Sequence, residues 1–320
     1  MKKLLIFLMF PEPIRMAVVR RLEALFPGDL QIATVATRED ANRAIADADI
    51  LMTFGAHMRE EQWRAAKRLK WVQGMGTGTD GITDAPALPK GVLVTAVHGL
   101  SGIPVSEAAI AFMLTLSRDF PRTVRNQANA LWERWPSRLL HDKTVGILGV
   151  GAIAEHLAPR LKPFGMTVIG ISRTPRAVAG FDRMVSREHL RETVPALDYL
   201  VLLAPLEPAT RGIVGAGVLA AMKPTAYLIN LARGGVVDEA ALIETLQARR
   251  IAGAALDTFQ SEPLSPQSPL WHTPNTIVTP HMGGFCDVYF DHAMPQVETN
   301  MRAFLAGTPD KMINRAERAS

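Results

Sequence analysis

Short apolar runs alternate with helical stretches along most of the sequence, and this alternation limits the possible folds more than any other feature. A first series contains residues 4–10, LQIATV, DILMTF, LKWVQG and GVLVTA, and it ends near residue 100. A second series contains KTVGILG, MTVIGIS, LDYLVLLA, TAYLINLA, RIAGAALD and NTIVTP. Uninterrupted apolar strands that alternate with helices are typical of parallel sheets covered on both faces. The pattern therefore predicts an α/β protein built on parallel sheets.

Composition and length narrow the class of protein. A chain of 320 residues has room for about two domains. It carries 35 Lys and Arg against 31 Asp and Glu, and no segment concentrates the basic residues, so we expect no nucleic-acid partner. The one cysteine, Cys286, excludes an intrachain disulfide and favours a reducing compartment. The run at 4–10 is interpreted as a first strand, because it is far shorter than the roughly 20 apolar residues of a membrane span. We expect a soluble, cytoplasmic protein with no membrane partner.

A glycine loop follows the first strand of the second series, in KTVGILGVGAIAEHLA. Gly149 would permit a tight turn, and Gly151 would let the backbone approach a pyrophosphate at the start of a helix near Ala152. Ala154 takes the third position of the motif and keeps the helix close to the strand. A short glycine motif alone is weak evidence, and a purely structural turn is the alternative. The strand–turn–helix context favours a dinucleotide site.

The next strand, MTVIGIS, ends where many dinucleotide-binding proteins carry an acidic residue that binds the adenosine ribose. Ser172, Arg173, Thr174 and Arg176 occupy this region instead, and residues 167–181 contain no acid. Two cations and two hydroxyls can bind a 2′-phosphate, which an acid would repel. A solvated basic turn is the alternative. The hypothesis is a site that favours NADP(H) over NAD(H).

Three further stretches place polar side chains just after apolar strands, at the edge where open α/β sheets bind ligands. INLARGGVVDEAAL contains Arg233, GAALDTFQSEPL contains Asp257 and Glu262, and IVTPHMGG contains His281. Each of these residues alone has a purely structural explanation, such as a turn cap. Together they could reduce a 2-oxo acid, because Arg233 can bind a carboxylate and His281 can move the hydroxyl proton. Glu262 would orient the imidazole and favour its protonated form, while a nicotinamide carries the hydride.

With these motifs, the chain resembles the D-isomer-specific 2-hydroxyacid dehydrogenases over nearly its whole length. The matching stretches are KWVQGMGTGTDGI, PVSEAAIAFMLTLSRD, the glycine loop, LLAPLEPATRGIVG, MKPTAYLINLARGGVVDEAAL, DTFQSEPLSPQSPLW and NTIVTPHMGG. The resemblance is nearest to the glyoxylate/hydroxypyruvate reductase branch. It implies two Rossmann-like or flavodoxin-like doubly wound parallel-sheet domains with a cleft between them. Residues 102–286 would bind the cofactor, and residues 1–101 with 287–320 would form the substrate domain.

The resemblance also implies a role for each matching residue. Arg233, Glu262 and His281 match the family's active site. Gly74, Met75 and Gly76 match the loop whose amides bind the substrate carboxylate. Asp257 matches a residue near the nicotinamide amide. The complete set of matching cofactor positions is Gly149, Gly151, Ala152, Ile153, Ser172, Arg173, Thr174, Arg176, Ala204, Pro205, Leu231, Asp257, Gly283 and Gly284. The histidines show no metal-ligand spacing, and we expect no metal.

The expected activity is NADPH-dependent reduction of a small 2-oxo acid such as glyoxylate or hydroxypyruvate. Two other functions remain open: a non-catalytic NADP(H)-sensing module on the same fold, and an enzyme for a phosphorylated three-carbon acid. The retained arginine, glutamate and histidine disfavour the sensor, and the lack of an extra Lys/Arg cluster near the carboxylate loop disfavours the phosphorylated acid. The resemblance implies a homodimer, for which residues 126–140 with Trp132 and Trp135 are the candidate interface. Packing of both tryptophans within their own chain is the alternative.

Overall fold

The computed structural model describes residues 1–317, and each apolar run named above contributes a strand to one of two parallel sheets. The chain divides into two units. Met1–Leu100 and the segment that begins at Asp287 form the first unit, and Ser101–Cys286 forms the second. The predicted α/β class with two parallel sheets is confirmed.

The first unit contains a five-stranded sheet in the order β2-β1-β3-β4-β5, with every neighbouring pair parallel. This order is that of flavodoxin-like folds. Its strands are β1 (Lys2–Phe7), β2 (Leu30–Val35), β3 (Ile50–Thr53), β4 (Trp71–Gly74) and β5 (Leu93–Thr95). Its helices are α1 (Glu12–Leu25), α2 (Arg38–Ala44), α3 (Glu60–Ala65) and, from the end of the chain, α10 (Tyr289–Leu305).

The second unit contains a seven-stranded parallel sheet in the order β12-β11-β10-β9-β6-β7-β8. The first strand lies between the second and the fourth, which is the arrangement of the Rossmann fold. Its strands are β6 (Thr144–Leu148), β7 (Thr167–Ser172), β8 (Arg183–Ser186), β9 (Tyr199–Leu202), β10 (Tyr227–Asn230), β11 (Gly253–Leu256) and β12 (Thr276–Val278). Its helices are α4 (Gly102–Arg118), α5 (Phe120–Ala128), α6 (Ala152–Leu161), α7 (Leu190–Thr193), α8 (Ala216–Ala221) and α9 (Glu239–Gln247).

Burial on both faces of the second sheet explains why its strands are continuously apolar. All four residues of β9 are buried, and they alternate between two cores. Leu200 and Leu202 belong to one core, whereas Tyr199 and Val201 belong to the other. Because successive side chains of a strand point to opposite faces, a strand covered on both sides needs an apolar residue at every position.

Two local features differ from the sequence-based expectation. The edge strand β8 was not predicted, because only Val185 of its four residues is buried and the pattern is mostly polar. The apolar spacing of residues 105–120 is typical of one buried helix, but α4 ends at Arg118 and α5 begins at Phe120, with Asp119 between them. Asp119 adopts a left-handed backbone conformation (φ 54°), and its side chain accepts a hydrogen bond from the Arg122 amide at the start of α5.

Within residues 1–317, none of the helices has both the length and the apolar character that a bilayer crossing requires.

Candidate active site

Most of the predicted functional residues of the second unit follow the carboxyl ends of its strands. The glycine loop follows β6, Arg233 follows β10, Asp257 follows β11 directly, and His281 follows β12. In a parallel sheet these strand ends share one edge. The strand order reverses between β6 and β9, which is the point of such sheets where ligands bind.

The side chains of His281 and Glu262 are hydrogen-bonded to each other. Nδ1 of His281 lies 2.7 Å from Oε2 of Glu262, and the histidine side chain is 41% exposed. The other carboxylate oxygen of Glu262 accepts a hydrogen bond from the Phe259 amide at 3.0 Å. The glutamate is therefore fixed by its own loop and in turn orients the imidazole. The second imidazole nitrogen, Nε2, does not contact Glu262 in this pair.

The protonation of Glu262 determines which nitrogen of the imidazole carries a proton. Burial alone would raise the pKa of Glu262. The hydrogen bond and charge of His281, the Phe259 amide and the charge of Arg233 outweigh burial and hold that pKa below its usual value. An ionised carboxylate can only accept hydrogen bonds, so Nδ1 of His281 donates to it. Nε2 is left facing away from Glu262, where it carries a proton that it can give to a ligand when the imidazole is doubly protonated and can accept one when the imidazole is neutral.

Asp257 anchors the loop that carries His281. Its Oδ1 accepts hydrogen bonds from the Thr279 hydroxyl (2.6 Å) and the Met282 amide (2.9 Å), and its Oδ2 accepts one from the Gly283 amide (2.8 Å). The aspartate is only 2% exposed. This anchoring role of Asp257 was not predicted from the sequence, which predicted a contact of Asp257 with the cofactor. That contact stays a prediction.

His281 itself has an unusual backbone. Its φ is 52°, in the left-handed region, and its amide donates to the Thr279 carbonyl at 3.0 Å. Together with the three hydrogen bonds to Asp257, this tight turn sets the direction in which the imidazole leaves the sheet edge.

Arg233 lies in a turn that packs against the loop of Glu262. The Asn230 side chain closes this turn, since its oxygen accepts from the Ala232 amide (3.1 Å) and its amide group donates to the Arg233 carbonyl (3.2 Å). A Cβ at Gly234 would lie 1.9 Å from the backbone carbon of Phe259. Only glycine permits this close approach of the two backbones, which explains why Gly234 follows the arginine. The half-buried arginine thereby lies in the same loop cluster as Glu262.

The glycine loop has the backbone geometry that a bound pyrophosphate requires. Gly149 has φ 99°, and a Cβ there would lie 2.4 Å from the amide nitrogen of Ala204. Gly151 has no atom within 4 Å of its missing side chain and immediately precedes α6. At these two glycines the loop therefore exposes backbone without a side chain, next to a helix N-terminus where an anion is favoured. The residues present fit a dinucleotide.

The predicted phosphate clamp contains one unsatisfied hydroxyl and one arginine that is already paired. Among residues 1–317, the buried Oγ of Ser172 has no hydrogen-bond partner, and Arg173 and Thr174 are exposed. Arg176 forms an ion pair with Glu155, with Nη2 2.5 Å from Oε1. The sequence analysis missed Glu155. The only available signal was an acid in the first turn after the glycine loop.

The remaining cofactor positions lie around the same strand ends. Pro205 is exposed, and its carbonyl accepts the Thr210 hydroxyl at 2.6 Å, which closes the turn after β9. Ala152 is also exposed. The other positions are buried or partly buried, and they are Ile153, Ala204, Leu231, Gly283 and Gly284. Their contact with a cofactor stays a prediction.

In the first unit, Gly74 is the last residue of β4, and Met75 and Gly76 follow it. The amide of Met75 donates to the Thr53 carbonyl at 2.8 Å, and its side chain is fully buried. Met75 therefore does not offer the free amide that was expected of it. A contact of a substrate carboxylate with Gly74 or Gly76 stays a prediction.

An aromatic cluster beside this loop was not predicted. The cluster consists of Phe10, Phe54, His57, Tyr289 and Phe290, whose neighbouring ring centroids are 5.4–6.1 Å apart. The Tyr289 hydroxyl donates to the Met75 carbonyl, and the Phe54 ring lies 3.6 Å from where a Gly76 Cβ would be. Burial, aided by the charges of Arg38 and Arg59, lowers the pKa of His57 to about 4. The cluster is therefore uncharged at neutral pH.

Arg38 and Arg59 lie beside the aromatic cluster, where the sequence analysis expected no group of basic residues. Both donate to the Ala56 carbonyl, at 3.4 and 3.0 Å. Arg38 also donates to the His57 carbonyl and Arg59 to the Met58 carbonyl. Both guanidinium groups thus bind backbone carbonyls of residues 56–58, Arg59 from the adjacent position and Arg38 from the start of α2.

The two tryptophans of the candidate interface segment, residues 126–140, differ in exposure. Trp132 is 92% exposed, and the neighbouring Leu131 and Leu139 are also exposed. Trp135 packs within its own chain, because the Arg122 guanidinium lies 4.3 Å from the centre of its ring. The alternative of intrachain packing thus holds for Trp135 and not for Trp132.

Comparisons with known proteins identify the family to which this chain is similar. A family model described as D-isomer specific 2-hydroxyacid dehydrogenase, NAD binding domain, matches residues 110–283. D-3-phosphoglycerate dehydrogenase of Methanocaldococcus jannaschii is 34% identical over 276 residues, which cover 85% of this chain and 52% of that protein. The chain thus spans about half the length of this curated relative. Glyoxylate reductase of Pyrococcus furiosus is 31% identical over 289 residues, which cover 87% and 86% of the two chains.

Solved structures give the same result. The crystal structure of an NADPH-dependent glyoxylate/hydroxypyruvate reductase from Sinorhizobium meliloti, in complex with NADP and sulfate, is similar with a TM-score of 0.78. The sequence identity is 28%, and the match covers 99% of each chain. On the sequence match, the two sheets and the position of the glycine loop, the chain belongs to the D-isomer specific 2-hydroxyacid dehydrogenase family.

Proposed function

We propose that the protein is an NADP(H)-dependent reductase of small 2-oxo acids that forms D-2-hydroxy acids. The observation that carries the proposal is the 2.7 Å pair of His281 and Glu262, beside the turn of Arg233 at the ligand-binding edge of the second sheet. Ser101–Cys286 would bind the cofactor, and the first unit would bind the substrate.

Each residue has a distinct task in this reaction. The Arg233 guanidinium binds the substrate carboxylate with two parallel N–H groups and polarises the adjacent carbonyl. His281 donates the proton at Nε2 to the carbonyl oxygen as negative charge develops there. Glu262 accepts from Nδ1 throughout and stabilises the imidazole in its charged form. The bound nicotinamide supplies the hydride.

The proposed cofactor site uses the glycine loop and the clamp. The backbone at Gly149 and Gly151 and the start of α6 would hold the pyrophosphate. Ser172, Arg173 and Arg176 would bind the 2′-phosphate, and the buried unsatisfied hydroxyl of Ser172 supports a polar ligand there. The similar reductase that was solved with NADP supports the same preference.

The aromatic cluster supports a substrate with a small uncharged side chain. Similar proteins named for phosphoglycerate and for glyoxylate both exist, so similarity alone does not choose between them. A phosphate packed against the rings of Phe54 and the neutral His57 would lose hydration there. The guanidinium groups of Arg38 and Arg59, although charged, already donate N–H groups to backbone carbonyls. Glyoxylate and hydroxypyruvate avoid this cost.

Initial rates with NADPH and with NADH test the proposal, using glyoxylate, hydroxypyruvate and 3-phosphohydroxypyruvate as acceptors. We expect oxidation of NADPH with the first two acids and much slower rates with NADH or with the phosphorylated acid. Faster turnover of the phosphorylated acid would contradict the proposed substrate. Tight NADPH binding without turnover of any acid would favour the sensing module instead.

We also propose a homodimer that buries the exposed apolar side chains of residues 126–140. No residue of α5 is buried in the single chain, and Trp132 and Leu131 extend the exposed apolar surface. Sedimentation equilibrium tests this, and we expect Trp132→Glu to shift a dimer towards monomer. A wild-type monomer would refute it.

A further inference from the structure

Glu155 is an acidic residue inside the proposed phosphate clamp. It lies in the first turn of α6, four residues after Gly151, and its amide donates to the Gly151 carbonyl at 3.0 Å. Its carboxylate reaches 21 residues along the chain to Arg176, just beyond β7. One arginine of the clamp is thus engaged before any ligand binds.

The two arginines of the clamp differ in this respect. Within residues 1–317, Arg173 forms no ion pair, whereas the Nη2 of Arg176 lies 2.5 Å from Glu155. Both members of the pair are half-exposed, at 60% and 45% of their side-chain surface. An exposed ion pair contributes little to stability and can exchange its partner readily. A phosphate dianion is a stronger partner for arginine than one carboxylate.

We infer that Glu155 sets the strength of NADP(H) selection by competing with the 2′-phosphate for Arg176. The inference rests on the proposed function, because it assumes that the 2′-phosphate binds at Ser172–Arg176. When the phosphate binds, Arg176 turns from Glu155 or bridges both anions. In either arrangement, the carboxylate of Glu155 remains close to the phosphate and repels it. A cofactor without a 2′-phosphate experiences no such competition.

The consequence is that the chain selects NADP(H) less strongly than its two arginines alone would allow. Removing the charge of Glu155 frees Arg176 and removes the repulsion. The Coulomb interaction of a carboxylate with a phosphate a few ångströms away, in water and salt, corresponds to about a two- to tenfold change in affinity. The effect should be confined to ligands that carry the 2′-phosphate.

The test is calorimetric titration of wild type and Glu155→Gln with 2′,5′-ADP and with 5′-AMP, which differ by the 2′-phosphate and need no catalysis. We expect Glu155→Gln to bind 2′,5′-ADP about two- to tenfold more tightly and 5′-AMP with unchanged affinity. Glu244→Gln is the matched control, because it removes the same charge from an exposed position on α9. In the Arg176→Gln background, where only the direct repulsion remains, Glu155→Gln should give a smaller gain than it gives in the wild-type background.

The outcomes separate this inference from the proposed cofactor preference. Unchanged or weaker binding of 2′,5′-ADP by Glu155→Gln overturns the inference, while a wild-type preference for 2′,5′-ADP keeps the proposed function. A gain that is as large in the Arg176→Gln background as in the wild-type background also overturns it, because Arg176 would then play no part in the effect. If wild type shows no preference and Glu155→Gln acquires one, the inference is supported and the proposed wild-type preference is wrong. If neither protein discriminates, both fail.

Discussion

Replacement of Asp257 by asparagine tests how the loop of His281 is held. The carboxylate accepts three hydrogen bonds, two at Oδ1 and one at Oδ2. An asparagine that keeps its oxygen at the Oδ1 position retains two bonds, now to a neutral acceptor. Its amide group then faces the Gly283 amide, so two donors meet where a donor and an acceptor were paired.

The size of the effect follows from these three bonds. A hydrogen bond to a charged group contributes about 1.5–3 kcal/mol, and one between neutral groups contributes about 0.5–1.5 kcal/mol. The variant loses one hydrogen bond to a charged group and weakens two others, so its cost exceeds that of a single charged bond. Part of this cost is offset, because the variant no longer buries a charge. We expect Asp257→Asn to lower the free energy of unfolding by about 2–4 kcal/mol. Turnover should fall at least tenfold, because the imidazole loses its fixed direction.

Urea denaturation and initial rates measure the two effects. Asp238→Asn is the control, since Asp238 accepts one hydrogen bond, from the Ala241 amide, as the exposed N-cap of α9, where asparagine is equally suitable. Thr279→Val removes only one of the three bonds and should cost about 1 kcal/mol. An Asp257→Asn protein as stable as the Asp238→Asn control would refute the anchoring role. If weaker cofactor binding were the only defect of Asp257→Asn, the result would indicate that Asp257 contacts the cofactor rather than anchoring the loop.

Four other perturbations test the remaining parts of the site. His281→Asn should lower turnover by about a hundredfold or more while NADPH binding, measured by fluorescence, stays within about threefold; an active variant would remove the proton-transfer role. Arg233→Lys should raise the KM for the 2-oxo acid about tenfold or more, since the two-pronged contact is lost although the charge remains; an unchanged KM would contradict carboxylate binding. Arg173→Gln/Arg176→Gln should weaken NADPH binding about tenfold or more and NADH binding much less in calorimetric titrations; equal losses would contradict the clamp. For Glu262, whose pKa is lowered in the folded protein, the ion pair should stabilise the fold above the unfolded pKa of about 4.3 and lose this effect as pH falls through the lower folded value. Glu262→Gln should therefore lose less stability than wild type between pH 5 and 3, and equal loss in urea titrations would contradict the pair.

The sheets could be predicted from the sequence because their strands are buried on both faces. A strand such as β9, with every residue buried, appears as an uninterrupted apolar run. The edge strand β8 lacks that signal, since three of its four residues remain at least partly exposed. Pattern alone finds the centre of such a sheet more readily than its edge.

The parts of the candidate site that could be predicted from the sequence are those in which a single short motif supplies the functional residues. The motif of Gly149 and the turns of Arg233 and His281 have local signatures. The pairing of Glu155 with Arg176 does not, because the partners lie on different elements and either residue alone suits a solvated surface. The aromatic cluster was hidden for a similar reason. Its residues come from positions 10, 54, 57, 289 and 290, and only the pairing of β1 with β3 and the return of α10 bring them together.

The left-handed backbone of His281 limits which residues evolution can place at this position. A residue with a branched or bulky side chain at φ 52° carries a penalty of about 1 kcal/mol or more, whereas asparagine, aspartate and histidine tolerate this conformation best. The turn would thus accept histidine among few alternatives even without a reaction to perform. A descendant that lost the activity would reach asparagine at position 281 with little disturbance of the fold, whereas glutamine or valine there would cost stability.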